Sequence, residues 1–133
     1  MEIKSYKELI AYTKGRELVK AVYEMTRKFP KEEMYGITSQ IRRSSISIPS
    51  NIAEGYMRGS KEYVQFLKVA LGSCAELETQ LSLSKDLGFC KELDFSKAYN
   101  LNEEIIKLLK TYVNKITWQS VRDTKRYTLP AKR

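Results

Sequence analysis

Histidine is absent from the 133 residues, and Cys74 and Cys90 are the only cysteines. Without imidazole the chain lacks the commonest general base at neutral pH, the usual partner of a serine or cysteine nucleophile, and the commonest zinc ligand. Two cysteines are too few for a disulfide framework, so reduced thiols are expected. Proline occurs three times and glycine six times, which leaves few interruptions and favours long helices. No apolar run reaches membrane-spanning length. The opening stretch MEIKSYKELIAYTKGRELVK alternates charged and apolar residues where a secretory signal needs a continuous apolar core. That pattern predicts a soluble cytoplasmic protein with no membrane association.

Charge is what the chain has in quantity. Twenty-four basic against 16 acidic side chains give +8 and a calculated pI near 9.5, while 42% of residues are apolar. The apolar share suits one globular domain. The charge favours anionic partners, nucleic acid or phospholipid, and composition does not choose between them. Residues 1–30 carry +3, 31–60 carry +1, 61–90 carry −1 and 91–133 carry +5.

Apolar spacing predicts four helices and no strand. Ser5 and Glu8 stand at capping-box spacing ahead of the first, which should run to Phe29 because Pro30 cannot continue it. Its apolar stripes are Leu9, Tyr12, Val19, Tyr23, Thr26 and, beside them, Leu18, Val22, Met25, Phe29. A second helix should start among Lys31, Glu32 and Glu33, bury Ile37, Ile41, Ile48 and Ile52, and end at Arg58. Gly59 would then take a left-handed conformation and Ser60 cap the third helix. Tyr63, Leu67, Ala70, Cys74, Leu77, Leu81 and Ser84 form a heptad seam on that helix, with Gly88 as its stop. It is the least basic helix and is expected to sit centrally. The fourth should begin near Asp94 and carry two seams, Ala98, Leu101, Ile105, Leu108, Tyr112 and Ile106, Leu109, Val113, Ile116. Four helices of about 33–45 Å with short links predict an all-α, antiparallel up-down-up-down bundle over residues 1–121. A basic tail, RDTKRYTLPAKR, occupies 122–133.

The stretch QIRRSSISIPSNIAEG, residues 40–55, is the least ordinary. The alternation Ser45-Ile46-Ser47-Ile48 suits a strand, but nothing exists for that strand to pair with. The isoleucines continue one helical face across Pro49, so a kinked second helix is expected, with serine hydroxyls serving freed carbonyls. A serine nucleophile has no histidine here, and Glu54, Glu76 and Glu78 lack the histidines of a bundle-type di-iron site. No glycine-rich loop joins a strand to a helix. Neither catalytic residues, nor a metal site, nor a cofactor is therefore expected.

Gly36, Gln40, Arg43, Ser47, Pro49, Asn51, Ile52, Ala53, Glu54, Gly55, Arg58, Gly72, Ser73 and Glu76 form a specific pattern. On these residues the stretch Phe29–Leu81 closely resembles the four-helix-bundle family encoded in intervening sequences of bacterial 23S rRNA genes. Helix one and the start of helix four also fit, and Ser44-Ser45 departs from the alanine commoner there. The resemblance implies a ring-shaped homopentamer in which Pro49, Asn51, Glu54, Gly55, Gly72 and Glu76 are structural. The chain is also similar to the accessory protein of diversity-generating retroelements, a basic pentameric barrel that binds nucleic acid and a reverse transcriptase.

The function expected is a non-enzymatic, oligomeric RNA- or DNA-binding protein that contacts the backbone with low sequence specificity. The alternative is an oligomeric module docking a protein partner such as a reverse transcriptase, with basicity incidental. Candidate phosphate contacts on helices one and four are Lys14, Arg16, Lys20, Lys107, Lys110 and Lys115, joined by Arg122, Lys125 and Arg126 of the tail. Arg42, Arg43 and Arg58 either pair internally around the kink or reach phosphate. Five chains at +8 each would place +40 on one particle, which strengthens polyanion binding. Tyr6, Tyr56 and Tyr127 are the tyrosines expected to be exposed for base stacking. Cys74 reads as a small buried hydrophobe, and Trp118 as an interface anchor or a terminal core plug.

Overall fold

The computed structural model describes the backbone of residues 5–131 and side chains as far as Trp118. Among these residues there are four α-helices and no strand: α1 Ile10–Thr26, α2 Ile37–Arg58, α3 Ser60–Asp86 and α4 Glu92–Ala131. Contacts between helices fix their directions. Tyr6, just ahead of α1, meets Tyr56, Gly15 faces Pro49, and Thr26 meets Arg42, so residue numbers rise along one helix as they fall along the other. Ser47–Ser73 and Tyr56–Tyr63 repeat this between α2 and α3. Cys74–Asn102 and Lys85–Glu92 do so between α3 and α4, and Lys14–Glu104 with Lys28–Asp94 between α4 and α1. The chain runs up, down, up, down. Each helix touches two neighbours and the diagonals stay apart. The third helix is consequently no more central than the rest, because α1 and α4 close the ring.

The α3 seam holds as read: Leu67, Ala70, Cys74, Leu77, Leu81 and Ser84 are buried and only Tyr63 is half-exposed. Leu18, Val22, Met25, Ile41, Ile48 and Ile52 fill the core opposite. Each large aliphatic among them contributes roughly 1.5–3 kcal/mol by leaving water. On α4 the innermost line is Ala98, Asn102, Ile105 and Leu109, between the two expected seams.

Helix ends differ from expectation for local reasons. Ser5 accepts from the Lys7 amide and caps a 3-10 turn, Tyr6–Glu8; extended backbone at Leu9 then separates that turn from α1. The helix stops at Thr26, three residues earlier than read, and a turn leads into Pro30. Lys31–Glu33 is another 3-10 turn, not the start of α2. Gly59 has φ +100° and ψ 176°, positive but extended rather than left-handed helical. Only glycine adopts that region readily. Its carbonyl accepts from the Glu62 and Tyr63 amides, so Gly59 takes the cap position and Ser60 is already inside α3. At the other end Gly88, φ +76°, donates to the Lys85 carbonyl while Phe89 donates to Ser84. This is the Schellman arrangement, and Phe89 packs its ring 5.8 Å from that of Phe29.

Pro49 sits inside α2 without ending it. A β-carbon on Gly15 would stand 3.2 Å from the Pro49 ring, so these two residues set a close crossing of α1 on α2. α4 spans 40 residues against 27 for α3, about 20 Å more at 1.5 Å per residue. Its backbone is helical up to Ala131.

Candidate nucleic-acid interface

Several polar groups of the proline-bearing stretch, those of Arg42, Ser45, Ser47, Asn51 and Glu54, are occupied by architecture. Asn51 donates through Nδ2 to the Ser47 carbonyl at 2.8 Å and to Ser47 Oγ at 2.9 Å. Ser47 Oγ in turn lies 2.8 Å from Ser73 Oγ on α3, and Ser45 Oγ donates to the Arg42 carbonyl. Small side chains at this crossing let hydroxyl meet hydroxyl without a cavity between them. Beside this chain, Gln40, Arg43, Ser44, Ser47 and Glu76 line a recess of about 250 Å³. Among the described residues no three His, Cys, Asp or Glu side chains gather as metal ligands would.

The candidate arginines divide. Arg42 donates from Nε to Thr26 Oγ1 at 2.9 Å, and its guanidinium lies 4.5 Å from the Tyr23 ring centroid. Thr26 passes the bond on to the Val22 carbonyl, so Arg42 ties α2 to the end of α1. Arg58 bridges the α2–α3 turn, reaching Glu54 at 3.0 Å and Glu62 at 3.5 Å over the Phe66 ring. These two pair internally. Arg43 is exposed and joins no ion pair among the described residues.

The lysines divide too. Lys14 holds Glu104 of α4 at 2.8 Å, and the hydrogen bond and charge of that carboxylate raise its ammonium above the ordinary lysine range. Arg16 and Lys20 are exposed without an ion-pair partner among the described residues, as are Lys107, Lys110 and Lys115. Arg27 joins them, although sequence reading passed it over. Residues 16, 20 and 27 are four and seven apart, a helical spacing that puts three cations on one side of α1. Arg122, Lys125, Arg126 and Tyr127 lie outside the described side chains.

Arg16, Lys20 and Arg27 border a groove between α1 and α2. Its central recess, about 430 Å³, has Val19, Ile46, Pro49 and Ala53 as apolar floor and Tyr12, Arg16, Lys20 and Ser50 around it. A second, about 380 Å³, continues toward Tyr23, Glu24 and Arg27. A third recess, about 360 Å³, is lined by Lys7, Tyr12, Thr13, Arg16, Glu17 and Lys20, all of α1 and the turn before it, and lies outside the groove. Lys20 lines all three. The groove exists because Gly15, Pro49, Ser50 and Ala53 are small where the two helices cross.

The tyrosines expected at the surface are elsewhere. Tyr6 and Tyr56 are half-buried in an edge-to-face series, Tyr12–Tyr6–Tyr56–Tyr63, with centroids 5.0 to 6.4 Å apart. The 3-10 turn folds Tyr6 back onto α1 and α2, which the heptad pattern does not register. Among the described tyrosines the exposed one is Tyr35, 96%, in the turn before α2. Trp118 is 65% exposed and plugs no core. Cys74 is fully buried, which pushes its thiol up to about 12.

Residues 7–111 match the family model described as 23S rRNA-intervening sequence protein, and the chain belongs to that family. No curated protein matches it. A similar solved structure is a crystal structure of a protein of unknown function from the S23 ribosomal protein family of Bacteroides thetaiotaomicron. The two are 23% identical with a TM-score of 0.72, covering 79% of this chain and 96% of that one. That likeness shows the fold. Neither description names a catalytic activity.

Proposed function

We propose that this member of the 23S rRNA-intervening sequence protein family is a non-enzymatic nucleic-acid-binding protein, acting as a homo-oligomer on the phosphate backbone. One observation carries the reading: Arg16, Lys20 and Arg27 stand exposed in a row, and none of them is in an ion pair among the described residues. Cations already paired inside a fold have little left to offer a phosphate, and these are available. Lys107, Lys110 and Lys115 add charge on the exposed side of α4. Contacts of this kind position a backbone and carry no base sequence, so RNA and DNA are both substrates and sequence preference is low.

The assembly we propose is the homopentamer that the family resemblance implies. It is supported by Gly72, a mid-helix glycine of α3 with nothing among the described residues, its own helical backbone aside, within 4 Å of where a β-carbon would sit. Glycine costs a helix about 1 kcal/mol against alanine, and close approach of another copy gives that cost a use. The test is binding of RNA and DNA at rising salt, with solution mass measured alongside. Tight binding that falls steeply with salt supports the reading; affinity indifferent to salt, or none, overturns it.

A second reading, a module docking a protein such as a reverse transcriptase, has one observation in its favour. Tyr35 is almost fully exposed next to Met34, itself 46% exposed, and aromatic anchors of that kind suit protein interfaces. Capture of a partner that survives nuclease treatment and is lost in Tyr35→Ala favours it.

A further inference from the structure

We propose that the α1–α2 groove takes a single-stranded segment of nucleic acid, base faces on its apolar floor and phosphates on its basic rim. This rests on the nucleic-acid reading above and narrows it to one strand state. The floor is the first argument. Ile46 is 42% exposed and Val19 and Ala53 half-buried, next to buried Pro49, and apolar surface left open beside a row of cations gains most from a ligand that is itself part apolar. A duplex keeps its base faces stacked inside and offers phosphates and groove edges, so this floor would stay in water beneath it. A single strand exposes the π-faces that pack on such a surface.

Size and charge spacing are the second. The two recesses of the groove, about 430 and 380 Å³, are each of a volume that holds a small organic group such as a nucleotide. Arg16 and Lys20 are separated by about 6 Å along the helix axis and Lys20 and Arg27 by about 10 Å, so the rim meets several phosphates of one strand. Glu24 also lines the second recess, between Lys20 and Arg27 along the helix, and repels phosphate there. Tyr23, held against Arg42, supplies a fixed ring beside the second recess.

The test compares a short unstructured RNA with a duplex of the same sequence by fluorescence anisotropy, using the full chain and an Ile46→Asp variant. Ile46 is partly exposed, so the substitution leaves the core alone, and circular dichroism checks that the fold is kept. Expected are single-strand binding at least about tenfold tighter than duplex binding, and a loss of about tenfold or more for the single strand in Ile46→Asp with the duplex little changed. Equal affinity for the two nucleic acids, or single-strand binding untouched by Ile46→Asp, overturns the groove proposal and leaves backbone binding standing. Binding of neither, even at low salt, removes the reading beneath it as well. A change in particle mass without a change in affinity assigns the groove to contacts between copies and also overturns the proposal. Where mass and affinity change together, photo-cross-linking of a 4-thiouridine strand decides: adducts on Tyr12 or Tyr23 support it, and adducts confined to other surfaces overturn it.

Discussion

A β-carbon placed on Gly55 of α2 would stand 2.6 Å from the β-carbon of Phe66 on α3. The two helices meet there one turn before their single-residue link, and Phe66 carries the Arg58 guanidinium 5.1 Å above its ring. Gly55→Ala therefore forces the helices apart against a gain in helix propensity. The net expectation is a loss of about 1–2 kcal/mol, a thermal midpoint lower by a few degrees. An unchanged midpoint would show that this crossing relaxes freely.

Gly72→Ala separates stability from assembly. Within one chain the added methyl meets nothing within 4 Å, so the chain itself should gain about 0.5–1 kcal/mol. A second copy packed on that helix would be pushed away. Sedimentation of the variant is expected to show a smaller particle, while the dilute chain melts no lower than the parent. A variant that keeps the parent's mass removes Gly72 from the proposed interface.

Asn102 is fully buried, donates from Nδ2 to the Cys74 carbonyl at 2.9 Å, and leaves Oδ1 without a partner among the described residues. A buried acceptor of this kind costs stability and marks the register of α3 on α4. Asn102→Leu should be as stable as the parent or more stable by about 1–2 kcal/mol in denaturant unfolding. A loss of similar size would mean that Oδ1 is satisfied in solution.

Burial pushes Cys74 from 9.0 to about 12 and Tyr63 from 10.0 to about 12. Both groups are neutral in the fold and ionise sooner when unfolded, so their contribution is fully present below pH 9 and declines as pH rises toward 12. The decline is at most about 1.4 kcal/mol per pH unit for each group. Denaturant unfolding of Cys74→Ala should be flatter with pH than the parent between 9 and 10, where burial raises the Cys90 thiol as well but equally in parent and variant. A thiol reagent at pH 8 should modify half-buried Cys90 before Cys74. Equal rates would contradict the burial of Cys74.

The bundle was legible because the signal is periodic. The α3 seam and the isoleucines of α2 repeat at helical spacing, and all but Tyr63 and Ile37 of those residues are buried. Ends were less legible, since Tyr6–Glu8 and Lys31–Glu33 form 3-10 turns whose hydrogen bonds leave no periodic trace. Asn102 was missed because a polar side chain on a seam reads as surface. The groove was half legible: Arg16 and Lys20 could be named from charge. Their availability, Arg27 beside them and the apolar floor depend on how closely Gly15 meets Pro49. Nothing in the sequence says that Lys14 answers to Glu104, 90 residues away.

The most direct test is the slope of log affinity against log salt for a single-stranded oligonucleotide, measured for the parent and for Arg16→Gln/Lys20→Gln/Arg27→Gln. Three cations released from phosphate contact should flatten that slope by about 2, at roughly 0.7 per contact on a single strand. A triple variant with the parent's affinity and slope would contradict the account, because the only row of unpaired cations described on α1 would then have no part in holding nucleic acid.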